Sequence, residues 1–244
     1  MKKLKILSID FDFFQDVDAE TLMKCYPDGI DLPTDITKIT WGGRYSDRCP
    51  YKDKIQAVKI NQSFFKQMLN ILKKQNKDIP VMIMQSHKHI YNFIHDNAEK
   101  QDDLFVVNVD LHHDVTNDND EVDCGNWISH IGTDFPNSTF CWITREVSFE
   151  CYEIDFSGHI PAYFDFDKIK DMDFDAIFIC RSDSWLPPHL DKHFNKMLNV
   201  CGDTFDNVIC ENCVLTPRDI SDIIRFENEI FEDYENKAKG EIQC

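Results

Sequence analysis

Leu104-Phe-Val-Val-Asn-Val109 runs directly into Asp110-Leu-His-His-Asp114. Six residues, mostly apolar or β-branched and without a breaker, are what a strand buried on both faces requires. The abrupt change to carboxylates and imidazoles marks its carboxyl end. Similar runs recur along the chain at Leu4–Phe11, Ile79–Met84, Thr139–Thr144, Ala176–Cys180 and Val208–Cys210. Several of the segments between them have helical spacing. Val58, Phe65, Leu69 and Leu72 predict an amphipathic helix from Lys54 to about Gln75, and Ile90, Phe93 and Ile94 predict another. A terminal helix is expected from about Ile220 to Lys237, announced by Thr216 as N-cap and Pro217 at the first helical position. Strands alternating with helices predict a single-domain, three-layer α/β/α fold over residues 1–244, with a mainly parallel sheet. Tyr26–Lys54, broken by Pro27, Gly29, Pro33, Gly42, Gly43 and Pro50, is predicted to be a long loop. Within it, Trp41-Gly-Gly-Arg44 either covers a site or is a surface excursion.

Composition narrows the function. The chain has 244 residues and a formal net charge of −18, which argues against the basic face that nucleic-acid binding needs. Hydrophobic residues make up 42% and include 19 Phe, so there is apolar surface enough for a sizeable core. No apolar run approaches the roughly 18–20 residues of a membrane span, and Asp10 and Asp12 interrupt the N-terminal run before a signal-peptide core forms. A cytoplasmic protein is expected, with neither membrane nor nucleic-acid partners. In such a chain the ten cysteines are expected to be free thiols, and Cys210-Glu-Asn-Cys213, lacking a second pair, to be structural. Asp118-Asn-Asp-Glu-Val-Asp123 lacks the glycine and terminal Glu of a calcium loop and reads as a solvated loop.

Polar clusters stand at three predicted strand ends: Asp10 with Asp12, His87 with His89, and Asp110 with His112 and Asp114. In open parallel sheets ligands bind outside the carboxyl ends of strands, so clusters far apart in sequence can converge. Carboxylate oxygens mixed with imidazole nitrogens, without thiolates, suit Mn²⁺, Fe²⁺ or Zn²⁺. Singly, each cluster is also what a solvated turn would carry.

Asp110-Leu-His112-His-Asp114 resembles the Asp-x-His-x-Asp motif of arginases and their ureohydrolase and deacetylase relatives, and Ser8-Ile-Asp10-Phe-Asp12-Phe-Phe14 resembles their Asp-x-Asp motif. Ser86-His87, Cys124-Gly-Asn126-Trp127-Ile-Ser-His130 and Ser184-Trp185-Leu186-Pro-Pro188 are closer to a divergent arginase-like family whose characterised members are peptide arginases. The motifs are scattered from residue 6 to about 190, and their order is reversed, since in ordinary arginases the Asp-x-Asp motif comes second. Either the strands are permuted or Asp10 and Asp12 are not equivalent to those ligands. The resemblance implies an arginase/deacetylase-like fold and two Mn²⁺ ions bridged by Asp110 and Asp10. His87 and Asp114 would complete one ion, and His112 and Asp12 the other, with His89 the alternative to His87. It implies a proton-shuttling imidazole, His130 first and His113 second. Arg181-Ser-Asp183-Ser-Trp185, after the strand Ala176–Cys180, either sets Asp183 against a cationic substrate, with Asn126 and Trp185 as further candidate contacts, or is a turn with a packed Trp. The implied reaction converts peptidyl arginine to ornithine and urea. A small guanidino or amide substrate is the alternative within enzymes, and a non-catalytic binding protein of the same fold the alternative outside them.

Overall fold

The computed structural model describes residues 3–26, 31–116, 120–151 and 160–241. Its strands are β1 (Lys3–Asp10), β2 (Gln15–Asp16), β3 (Lys59–Ile60), β4 (Pro80–Met84), β5 (Asp103–Val109), β6 (Thr139–Ile143), β7 (Ala162–Tyr163), β8 (Ala176–Cys180) and β9 (Asn207–Cys210). The helices are α1 (Ala19–Cys25), α2 (Thr34–Tyr45), α3 (Lys52–Ala57), α4 (Gln62–Lys73), α5 (Ile90–Asn97), α6 (Trp127–Asp134), α7 (Glu146–Cys151), α8 (Asp191–Thr204) and α9 (Ile220–Glu241). Seven strands form one sheet in the order β7-β6-β5-β1-β8-β4-β9, and every pairing in it is parallel. The short β2 and β3 pair separately and antiparallel.

Alternation along the central strands divides the core. Leu7, Ile9, Val107, Val109, Ile177 and Ile179 face α4 and α8, against Phe65, Met68, Phe194 and Met197. Leu4, Ile6, Leu104, Val106 and Phe178 face α5 and α6, against Phe93, Ile94, Trp127 and Ile131. The result is a three-layer α/β/α fold. Each fully buried Ile, Val, Leu or Phe contributes about 1.5–3 kcal/mol by leaving water, so both helical layers are held mainly by this apolar contact. Among the described residues no helix is long and apolar enough to cross a membrane.

Register fixes the site. In the β1–β5 ladder Ser8 lies opposite Asn108 and Ile9 opposite Val109, so Asp10 and Asp110 leave adjacent strands at the same level. On the other side of β1, Asp10 lies level with Cys180, and Cys180 with Met84. The segments carrying Asp10, Asp110, Arg181 and His87 therefore emerge at one edge of the sheet. The Asp-x-Asp strand precedes the Asp-x-His-x-Asp strand in sequence and still lies beside it.

Three sequence expectations are corrected. Tyr26–Lys54 is not a loop throughout: α2 occupies Thr34–Tyr45, with Trp41 and both glycines inside it. Gly42 is there because α9 packs against it so closely that a Cβ would lie 2.4 Å from Glu227 Cβ and 2.8 Å from the Ile223 carbonyl oxygen. The Lys54–Gln75 helix is two helices, because the chain extends at Val58, pairs through β3, and restarts where Asn61 caps α4 by accepting from the Ser63 and Phe64 amides at 3.2 Å. Thr216 is not an N-cap. Its carbonyl accepts from Arg181 Nη1 at 3.0 Å, and Asp219 caps α9 instead, accepting from the Ser221 amide at 2.8 Å. The Asp118–Asp123 segment lies partly outside the described residues, and Cys210 and Cys213 are free thiols.

Candidate metal centre

Six side chains meet at this edge. His87, which opens a short 3₁₀ turn after β4, places Nδ1 3.4 Å from Asp10 Oδ2, 3.0 Å from Asp110 Oδ2 and 3.2 Å from Asp114 Oδ2. His112 Nδ1 lies 3.3 Å from both Asp12 Oδ2 and Asp110 Oδ1. The two oxygens of Asp110 thus face two separate groups, Asp10 with His87 and Asp12 with His112. Asp114 joins the first. Atoms about 2.1 Å from a common ion and at right angles to one another stand about 3 Å apart, so these separations would suit ligands around a cation.

The surroundings orient four of these side chains. Ser8 Oγ meets His87 Nε2 at 2.7 Å, and Phe178 lies parallel to the imidazole. Asp114, at a φ of 57°, accepts from Trp127 Nε1 at 2.7 Å and from Asn108 Nδ2 at 3.2 Å. Trp142 Nε1 donates to the Asp110 carbonyl oxygen at 3.0 Å. The ring of Trp185 packs on His112 with centroids 4.7 Å apart. Five of the six ligand side chains are at most 4% exposed, whereas His112 is 21% exposed, so the cluster opens to solvent at His112.

Electrostatics favour a cation here. Burial, then Asp10 and Asp110, push the Asp12 carboxyl well above the usual range, and burial and Asp110 do the same to Asp114. Asp10 is raised by burial and by Asp110. Burial alone would also raise Asp110, but the adjacent His112 and His87 imidazoles outweigh it and hold that carboxyl low. Both oxygens of Asp12 and Oδ2 of Asp110 are buried without an aligned hydrogen-bond donor. When Ser8 accepts from Nε2–H of His87, the Nδ1 lone pair points among three carboxylate oxygens. That arrangement is repulsive without a positive charge and favourable around one. The donor set therefore fits two divalent cations sharing Asp110.

Comparison with protein-family models, curated proteins and solved structures gave no match.

The remaining candidates fall elsewhere. His89 lies outside the cluster, with burial and the nearby Glu211 and Lys88 charges shaping its titration. His113 is half-buried, accepts from the Val115 amide at 3.1 Å through Nδ1, and meets Trp142 edge-on. Burial and the neighbouring His112 lower its pKa. His130, on α6, meets the Tyr91 ring edge-on at 6.3 Å. Asn126 is buried, with Oδ1 accepting from the Asp123 amide and Nδ2 donating to the Glu121 carbonyl, both at 2.8 Å. Asp183 receives Nη2 of Arg181 at 2.8 Å, so its carboxylate already holds a guanidinium from its own chain.

Two contributors escaped the sequence reading. Ser8 and Asn108 are lone polar residues inside apolar strands, opposite one another in the ladder, and each bonds a member of the cluster. Their signal was that interruption: a polar side chain on a strand buried on both faces needs a partner.

Proposed function

We propose that this chain is a metal-dependent hydrolase of the arginase-like class, which binds two Mn²⁺ ions and hydrolyses the guanidinium group of arginine within a peptide to leave ornithine and release urea. The observation that carries the reading is Asp110, whose two oxygens face two groups that each supply one imidazole and at least one further carboxylate. Paired divalent ions supply Lewis acidity and bring the pKa of water toward neutrality.

The chain's own residues do the rest. Asp110 holds the two halves in fixed relation. Ser8, Trp127 and Asn108 keep His87 and Asp114 from turning away. Trp185, itself buried, packs on His112, the one clustered side chain that reaches solvent, and holds that ring in place. One water adds to the guanidinium carbon, the bond from that carbon to the side-chain nitrogen breaks, and the departing amine takes a proton, so that guanidinium and water give ammonium and urea. An imidazole can carry the proton from the water to the departing amine, His130 first and His113, whose Nδ1 already accepts from the Val115 amide, second. The free thiols suit a reducing, cytoplasmic setting.

Purified protein loaded with Mn²⁺ should hold about two ions per chain. Incubated with Arg-containing peptides, it should produce a mass loss corresponding to CH₂N₂ at arginine. Reaction with free arginine or agmatine alone would overturn the peptide assignment, and absence of any hydrolysis with both ions bound would point to a binding protein.

A further inference from the structure

Beside the metal centre lies a cavity of about 650 Å³, walled among others by Asp31, Trp41, Ser86, Lys88, Asp183 and Ser184. Its volume lies within the usual range for a site that encloses a small ligand. None of the six clustered Asp and His residues lines it, but Ser86 immediately precedes His87. Ser86 Oγ donates a short hydrogen bond to Asp31 Oδ2. Asp31 thus lines the cavity and is tied to the residue next to His87.

The two arginines that line the cavity are already committed. Arg181 is bonded to Asp183 and to the Thr216 and Cys213 carbonyls. Arg218 is bonded to both oxygens of Asp191 and to the Asp183 and Leu186 carbonyls. Lys88 acts on Asp31 only at longer range. Among the described residues Asp31 makes no ion pair, although it is partly buried and its hydrogen-bond partner is the Ser86 hydroxyl. Its position is fixed as well: the next residue, Leu32, donates its amide to Ser184 Oγ at 3.0 Å and accepts from Thr37 Oγ1 at 3.1 Å. A pinned, partly desolvated carboxylate with a hydroxyl partner and no cation is arranged to receive a cation from outside the chain.

We propose that Asp31 is the substrate-binding carboxylate that grips the guanidinium of the incoming arginine, with the neighbouring cavity receiving the adjoining part of the peptide. The inference rests on the guanidinium reading of the metal centre. It assigns to Asp31 the contact that sequence reasoning gave to Asp183, whose carboxylate is occupied by Arg181.

The test is calorimetric titration of the full-length, Mn²⁺-loaded protein with an arginine peptide and with the same peptide carrying citrulline, a neutral isostere. Native protein should prefer arginine by about tenfold or more. Asp31→Asn should abolish that preference while retaining native metal content, and should raise KM with kcat little changed. Asp31→Glu, which keeps the charge, should restore part of the preference. Equal discrimination by native protein and D31N, no discrimination in the native protein, or loss of metal in D31N would each overturn the assignment. Asp31-dependent discrimination without hydrolysis would overturn the proposed reaction and leave this inference standing.

Discussion

Ser8 Oγ holds Nε2 of His87 at 2.7 Å, and that single contact turns Nδ1 toward the carboxylates of Asp10, Asp110 and Asp114. Outer contacts of this kind fix the orientation of a metal-binding imidazole and typically govern affinity by about 10–100-fold. Ser8→Ala should leave the fold intact and weaken Mn²⁺ binding within that range. Titration of metal into the metal-free variant, compared with native protein, measures it; unchanged affinity would remove Ser8 from the site.

Asp110 and Asp12 should differ in what they take with them. Asp110 serves both groups, whereas Asp12 serves only the group containing His112. Asp110→Ala is expected to lose both ions, and Asp12→Ala to retain about one. Elemental analysis of the folded variants decides the matter, and one retained ion in both would refute the shared role of Asp110.

Removing metal should destabilise the native protein. Ligands that bind only the folded state add RT ln(1 + [L]/Kd), about 2.7 kcal/mol at a hundredfold excess over Kd. Thermal unfolding with and without a chelator should show a lower Tm in the chelated sample. In the Asp110→Ala variant the chelator should have almost no effect.

A pH effect is expected away from the centre. His189 donates through Nε2 to the Val58 carbonyl at 2.8 Å, which leaves Nδ1 of the neutral ring to accept from Tyr45 Oη. Burial lowers its pKa from the ordinary 6.5. The unfolded chain therefore takes up this proton at higher pH than the folded one. The stabilisation is complete above about pH 6.5 and is lost as pH falls toward the lowered folded value. Chemical denaturation at pH 8 and pH 5.5 should give a smaller difference for His189→Gln than for native protein.

Gly42→Ala tests the helix contact that sequence patterning did not anticipate. The added Cβ would meet Glu227 Cβ at 2.4 Å and the Ile223 carbonyl oxygen at 2.8 Å. Overpacking of this kind costs about 1–3 kcal/mol, and each kcal/mol lowers the Tm of a chain this size by roughly 2–4 °C. A Tm equal to that of native protein would mean that α2 and α9 separate at no cost.

The strands were legible because a parallel sheet covered on both faces demands uninterrupted apolar runs, and Ala176–Cys180 and Leu104–Val109 are such runs. The six clustered residues were legible because carboxylates and imidazoles recur at the ends of several apolar strands, which a parallel sheet places side by side. Helix α2 was not. Its two glycines and preceding proline are poor helix formers, and the packing of α9 that makes Gly42 suitable is tertiary. Nor was the break at Val58, since a helical repeat on both sides hides one extended turn. Asp31 was missed because a single acid in a predicted loop has no local signature, and only the folded chain brings it beside Ser86 and away from any available arginine.

The level alignment of Ser8 with Asn108, and of the carboxylates that follow them, has a consequence for how such a chain can change over time. Because strand side chains alternate between faces, inserting or deleting one residue within β1 or β5 would turn Ser8 or Asn108 into the opposite helical layer and move one aspartate out of step with the other. No compensating substitution at a single position restores that. Variation in length is therefore expected only in the connections, while the spacing from Ser8 to Asp12 and from Asn108 to Asp114 stays constant even as the residues between them drift.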